Sequence, residues 1–128
     1  PLLWSYLERQ SKYLDARKSS IYRGKPPFAI FGVGEYSFAP YKVAICGMYK
    51  KLKFSLIAPI HNRPVMVDDT VYFLPCSSMQ EGRQIISALN SERAQDFFKS
   101  RIFWDAKRPI TKSLLASLCI DILVAEQP

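Results

Sequence analysis

The stretch YKVAICGMYKKLKFSLIAP, residues 41–59, decides the fold. Its two apolar runs predict neighbouring strands near 42–47 and 53–58, because both are rich in β-branched and aromatic residues and Gly47 ends the first of them. The connection between the two strands is basic and carries Lys50, Lys51 and Lys53. We therefore expect a small sheet with a cluster of positive charge beside one turn.

The chain before this stretch predicts a helix followed by an irregular segment. Leucines and tyrosines recur at helical spacing over residues 2–17, which indicates an amphipathic helix. Pro26 and Pro27 end that pattern, and the apolar run 28–31 predicts a short buried strand.

The chain after this stretch predicts more strands and then helices. Two strands are expected, at 65–67 and 70–74, around an Asp-Asp pair. Three residues are suited to cap the helices that follow, the first within an S-x-x-E capping box: Ser78, Ser91 and Thr111. The order of elements predicts an α+β fold with an N-terminal helix, a small, mostly antiparallel twisted sheet and C-terminal helices.

Positive charge is concentrated at the start of the chain. Residues 1–53 hold ten Lys and Arg and three Asp and Glu, whereas residues 54–128 hold eight of each, so the first 53 positions carry the whole net charge of +7. A segregated basic region is typical of nucleic-acid-binding proteins and is equally compatible with a solubilising surface. With 128 residues, 48% of them hydrophobic and 23% charged, the chain is long enough for one globular domain.

The sequence favours a cytoplasmic protein without membrane contact. No apolar run approaches the roughly 18–20 residues that span a bilayer, and no signal-peptide pattern is visible. Three widely spaced cysteines in apolar stretches predict buried, reduced thiols: Cys46, Cys76 and Cys119. His61 is the single histidine and no C-x-x-C pair occurs, so a zinc site is not expected.

Two short motifs are similar to parts of an S-adenosylmethionine site, but neither is complete. KPPF, residues 25–28, has Lys25 where the [D/N/S]PP[Y/F/W] signature needs a side-chain oxygen, and lysine cannot accept a hydrogen bond. FGVGEY, residues 31–36, lacks the third glycine and the acidic strand end of a cofactor-binding turn. Asp68 and Asp69 are better suited to cap a turn or strand than to share a metal ion. We therefore predict no catalytic residue, cofactor or metal in this chain.

The second half of the chain resembles a known DNA-recognition unit. A strand, VYFLPC (71–76), leads into a helix ending in LNS (89–91), a second helix follows in AQDFFKSRI (94–102), and KRPITKSLLASLCI (107–120) closes the unit. This order is similar to the closing element of target recognition domains in DNA methyltransferases and restriction–modification specificity subunits. Upstream, FGVGEYSFAPYKVAICGMYKKLKFSL (31–56) resembles the corresponding part of adenine-specific methyltransferases of the combined type II restriction–modification class.

The resemblance implies a target-recognition-domain-like fold over residues 28–128, entered by a helical connector over 1–27. It implies sequence-specific binding of double-stranded DNA by a fragment of an N6-adenine methyltransferase that is not an enzyme by itself. The catalytic domain of the same parent chain would lie before Pro1, bind S-adenosylmethionine and flip the target adenine out of the duplex.

The resemblance also implies which side chains contact DNA. Phosphate contacts would come from long basic side chains: Arg23, Lys25, Lys42, Lys50, Lys51, Lys53, Lys107 and Arg108. The last two are equally suited to pairing with Asp105 or to solvation. Each phosphate contact releases counterions, so binding should weaken steeply with salt.

Base contacts are expected from the polar loop 60–64. Asn62 could address adenine and Arg63 guanine, although Asn-Arg-Pro is also a common turn sequence. Three tyrosines could stack on bases or contact phosphates, although core packing is favoured for most of them: Tyr36, Tyr41 and Tyr49.

Two other classes of protein remain open. A structural or protein-interaction domain of a larger restriction–modification enzyme would need no base contact. An RNA-binding module would be expected to show a glycine-rich aromatic strand or a G-x-x-G loop, and the chain has neither. The position of the lysines in 42–53 separates DNA recognition from packing, because a DNA-binding domain should gather them on one concave face.

Overall fold

The computed structural model describes residues 2–125, and this range forms six α-helices, two 3-10 helices and a three-stranded sheet. The helices are α1 (Leu2–Arg9), α2 (Ser11–Asp15), α3 (Met79–Leu89), α4 (Glu92–Lys99), α5 (Lys112–Ala116) and α6 (Ile120–Ala125). The strands are β1 (Tyr41–Cys46), β2 (Ser55–Ile57) and β3 (Val71–Cys76), and the 3-10 helices are Ser20–Tyr22 and Glu35–Phe38. The predicted α+β fold with a small antiparallel sheet is confirmed.

The chain divides into two compact units, one extending to Val33 and one starting at Gly34. None of the described side chains of the first unit is buried. Arg17 organises this unit: its Nε donates to the carbonyl of Leu14 at 2.6 Å, and its Nη1 donates to the carbonyl of Ala29 at 2.7 Å. The guanidinium also lies 3.8 Å from the ring centre of Tyr22.

Two expectations for the first unit need correction. The single helix predicted over residues 2–17 is broken at Gln10 into α1 and α2. The strand predicted at 28–31 is wrong, because these residues form turns and irregular backbone, and Phe28 has a φ of 63°, outside the β region. Ile30 and Phe31, expected to be buried, are exposed.

The second unit is built on an antiparallel sheet with the order β2-β1-β3. Alternation along β1 points Val43 and Ile45 to one face, where they join the core. The core continues through the loop after β1, the end of β3 and the helical third of the chain: Phe54, Cys76, Leu89, Phe98, Ile102 and Ile110. The helices therefore cover one face of the sheet, and loops lie against part of the other face.

Side-chain oxygens cap the first three helices of the second unit, as predicted. Ser78 accepts from the N–H of Glu81 at 3.1 Å, Ser91 from that of Ala94 at 3.4 Å, and Thr111 from that of Leu114 at 3.2 Å. The Glu81 carboxylate accepts from both the N–H and the hydroxyl of Ser77 at 2.7 Å, so the second bond of the expected capping box goes to the residue before the cap and not to Ser78 itself. These hydrogen bonds lower the pKa of Glu81.

The loop after β2 contains no strand at 65–67, so that prediction is wrong. Both edges of β1 are already paired, one with β2 and one with β3, which leaves these residues without a strand partner there. Asp68 instead caps the start of β3, because its carboxylate accepts from the N–H of Thr70 at 2.8 Å and from its hydroxyl at 2.6 Å. Both hydrogen bonds lower the pKa of Asp68.

Gly47 holds three loops together at the Cys46 end of β1. Its N–H donates to the carbonyl of Thr70 at 2.8 Å, and its carbonyl accepts from the N–H of Ile110 at 3.4 Å. A Cβ atom on this residue would lie 2.6 Å from the ring of Tyr72, so only glycine fits the position without a shift.

The cysteines differ in burial. Cys76 is buried and Cys46 is half-buried, but Cys119 is exposed, so the prediction of a buried thiol is wrong for Cys119. Burial is also the main reason that the pKa of Cys76 is raised. No helix within residues 2–125 combines the length and the apolar character needed to cross a membrane.

Candidate nucleic-acid interface

Three of the predicted phosphate-binding lysines line one groove on the sheet. The groove has a volume of about 690 Å³. Its lining, which we call the lysine groove, consists of Ala44, Ile45, Cys46, Met48, Tyr49, Lys50, Lys51, Lys53, Ser55 and Val71. Three of these residues are basic and none is acidic, so the lining of the groove carries positive charge.

The register of the sheet explains the shape of the groove. Ala44 lies directly opposite Ser55 of β2, and both are small, so the floor is low at this point. The chain leaves β1 at Gly47, and the loop that follows forms one wall. Lys50, Lys51 and Lys53 are all exposed on that wall. This concave arrangement is the one expected of a surface that holds an anionic ligand.

Lys42 does not belong to this surface, and its predicted phosphate contact does not fit the structure. Its side chain is only 1% exposed, and its Nζ donates to the carbonyl of Ala39 at 2.7 Å. The ammonium also lies 5.6 Å from the ring centre of Phe73. Burial lowers the pKa of Lys42, since a charged group is poorly solvated there. Lys42 therefore fixes the segment before β1 to the sheet.

The second predicted basic patch, Lys107 and Arg108, lies in the loop whose Ile110 donates a hydrogen bond to the carbonyl of Gly47. Arg108 forms an ion pair with Asp69, with 3.5 Å between Nη2 and Oδ2, and not with Asp105, the partner considered from the sequence. Lys107 and Arg108 are both exposed, although neither lines the lysine groove. Because Ile110 bonds to Gly47, this loop approaches the end of β1 at which the lysine-bearing loop begins.

The predicted base contacts lie in a tight hairpin turn. The backbone groups of Ile60 and Arg63 bond to each other in both directions, at 3.0 and 2.9 Å. The two central residues, His61 and Asn62, have φ angles of 49° and 58°, which is the pattern of a type I′ turn. Asn62 is thus explained by the turn itself, because asparagine tolerates a positive φ well.

Asn62 and Arg63 are exposed but lie away from the lysine groove. Ile57 at the end of β2 is opposite Lys42, so the chain continues from there past the Tyr41 end of β1. The lysine-bearing loop begins at the other end of that strand. Their contact with bases stays a prediction, and a ligand touching both sites would have to run along the sheet.

Arg23 and Lys25 lie in the first unit, in an exposed turn around Gly24, whose φ is 68°. Their phosphate contacts also stay predictions. The tyrosines divide by position: Tyr41 packs against the core, Tyr36 packs on Phe73 with 5.8 Å between ring centres, and Tyr49 lies exposed in the lysine groove.

The position of Met48 in the groove could not be predicted from the sequence. Met48 lines the groove beside Tyr49 and is 41% exposed. Methionine is most often a core residue, so only the course of the loop after Gly47 reveals its position.

The segment with the glycine motif, residues 31–36, is largely irregular. No strand precedes Gly32 and Gly34 in the described part of the chain, and most of residues 30–36 are exposed in turns. Lys25 offers only donors to a ligand. Across residues 2–125, no three side chains of His, Cys, Asp or Glu come together as a metal site would require.

Comparison with known proteins shows that the chain is similar in sequence to part of a methyltransferase. It is 53% identical over 123 residues to the type II methyltransferase M.NspV of Nostoc sp.. The match covers 96% of this chain and 26% of that protein, so the chain spans about a quarter of the length of the relative. No protein-family model matches the chain. No solved structure matches it.

Proposed function

We propose that this chain is the DNA-recognition segment of an adenine-specific methyltransferase of the type II restriction–modification class. The observation that carries the proposal is the position of Lys50, Lys51 and Lys53 on one concave face. The identity with M.NspV supports the enzyme class, and the resemblance of residues 31–120 to target recognition domains supports the role.

In this proposal the lysine groove holds the phosphate backbone of double-stranded DNA. Each ammonium replaces condensed counterions, and the released ions provide most of the sequence-independent affinity. Lys107 and Arg108 extend the basic surface beyond the groove, and the hairpin at 60–63 offers Asn62 and Arg63 to base edges.

Chemistry belongs to the rest of the parent enzyme in this proposal. The catalytic domain would bind S-adenosylmethionine and receive the flipped adenine. The segment would then position the DNA beside that domain in the cytoplasm.

A second role, packing against the catalytic domain, is favoured by the first unit. Several of its large apolar side chains are exposed, among them Leu2, Leu3, Trp4, Tyr13, Ile30 and Phe31. An apolar surface of this kind is typical of a protein interface. Hydrogen exchange would test the role, since residues 2–33 should be protected in the complete enzyme and not in the isolated chain.

The DNA-binding proposal is tested by salt-dependent binding. Fluorescence anisotropy with a labelled duplex should give an affinity that falls linearly with salt on logarithmic axes. Replacing Lys50, Lys51 and Lys53 together with alanine should make the slope less negative by about 0.9 for each contact that is lost.

A matched control changes the charge equally elsewhere. Replacing Lys18, Lys99 and Lys112 with alanine removes the same three charges from exposed positions outside the groove. This variant should keep most of the slope. If both variants lose the same amount of slope, the effect is one of net charge and the proposed groove is contradicted. If the unchanged chain shows no salt-sensitive binding, DNA binding itself is contradicted.

A further inference from the structure

The lysine groove contains apolar and aromatic surface that a phosphate backbone does not use. Tyr49 is 68% exposed and Met48 is 41% exposed, although both side chains are large and mostly apolar. Ala44 and Val71 add apolar surface at the floor. A ligand that fills this groove therefore has an uncharged, apolar part as well as negative charge.

The positions of the two kinds of side chain restrict that ligand. Tyr49 and Lys50 are consecutive, and both line the same cavity, so the anionic and the apolar parts of the ligand must be close together. The cavity of about 690 Å³ lies within the range of about 300–1,000 Å³ typical of small-ligand sites. A nucleotide, with its phosphate beside a planar base, has this combination of size and chemistry.

Paired DNA cannot offer the faces of its bases to such a groove. In a duplex those faces are stacked on one another, and only the edges of the bases are exposed in the major and minor grooves. An unpaired nucleotide exposes a base face that can stack on an aromatic side chain, while its phosphates remain within reach of lysines.

We propose that the lysine groove binds an unpaired DNA nucleotide, with the base against Tyr49 and Met48 and the flanking phosphates at Lys50, Lys51 and Lys53. This inference rests on the proposed DNA-binding function and specifies the form of DNA that the groove accepts. The depression between β1 and β2 makes room for the base, since Ala44 and Ser55 face each other there.

Anisotropy with three DNA probes tests the inference. The probes are a fully paired duplex, the same duplex with one extra unpaired thymidine in one strand, and that duplex with an abasic site in place of the extra thymidine. Stacking on one aromatic side chain is worth a factor of roughly 5 to 150 in affinity. The chain should therefore bind the thymidine bulge at least about fivefold more tightly than the abasic bulge.

Variants locate the effect. Tyr49→Ala should abolish the difference between the two bulges, and Tyr49→Phe should keep it, since stacking needs only the ring. Tyr13→Ala is the matched control, because Tyr13 is 75% exposed, close to the 68% of Tyr49, but lies outside the groove. Tyr49 and Tyr13 are surface residues, so melting curves should show all three variants folded.

The outcomes separate the inference from the function on which it rests. If the unchanged chain binds all three probes with the same salt-sensitive affinity, DNA binding stands and the unpaired-nucleotide site is refuted. The site is also refuted if Tyr13→Ala abolishes the preference as completely as Tyr49→Ala. If the chain binds none of the probes, both proposals fail.

Discussion

Replacing Gly47 with alanine should destabilise the second unit, because a Cβ atom has no room at this position. It would lie 2.6 Å from Cε2 of Tyr72 and 2.9 Å from the backbone oxygen of Ile110. Both neighbours are constrained, since Tyr72 packs against the core and Ile110 is fully buried. The new methyl group must therefore push a ring and a backbone segment apart.

The magnitude follows from these two contacts. Overpacking of a well-packed site costs about 1–3 kcal/mol. Moving Ile110 away also weakens its hydrogen bond to the Gly47 carbonyl, and such a bond contributes about 0.5–1.5 kcal/mol. We expect the free energy of unfolding to fall by roughly 2–4 kcal/mol and Tm to fall by roughly 5–15 °C.

Urea unfolding followed by circular dichroism measures this loss, with Gly34→Ala as the control. A Cβ on Gly34 would approach only the half-exposed ring of Tyr36, and the φ of −148° suits any residue. The control should change stability by less than about 0.5 kcal/mol. The reasoning is refuted if Gly47→Ala is as stable as the unchanged chain, or if the control loses as much.

Three further results are expected. The free energy of unfolding in urea of the unchanged chain, relative to that of Lys42→Met, should rise as the pH rises towards 10.5. The reason is that the pKa of Lys42 is lowered in the folded state, so the unfolded chain binds more protons in this pH range. A difference that stays constant with pH would contradict burial of the ammonium. The stability advantage over Glu81→Gln should be full above pH 4.5 and should disappear as the pH falls through the lowered pKa of Glu81, and its persistence at pH 2 would contradict the hydrogen bonds from Ser77. A maleimide followed by mass spectrometry should label Cys119 before unfolding and Cys76 only after it, since Cys76 is buried and its pKa is raised; early labelling of Cys76 would contradict its place in the core.

Features of the fold that depend on local chemistry could be predicted from the sequence. Ser78, Ser91 and Thr111 cap helices because a hydroxyl at that position bonds to a backbone N–H three residues later, whatever the rest of the chain does. The strand at 28–31 could not be judged in this way. Whether an apolar run forms a strand depends on a distant partner, and the described sheet, which consists of β1, β2 and β3, does not include these residues.

The candidate site shows the same division. Lys50, Lys51 and Lys53 are close in sequence, so their proximity in space could be expected from the start. Lys42 lies on a strand, and its alternation with Val43 places it away from the helix-covered face. That face would ordinarily meet solvent, but the carbonyl of Ala39 covers the ammonium, and no local pattern predicts such a contact.

The loop between β2 and β3 can change in sequence and length while the sheet is retained. Residues 58–70 connect two strands that each pair with β1, so the sheet holds the ends of this loop wherever its middle extends. Doubling the length of a flexible loop costs only about 0.6 kcal/mol in closure entropy. Insertions and substitutions around Asn62 can therefore accumulate without loss of the sheet. They change the side chains at the tip of the loop and leave the lysine groove unaltered.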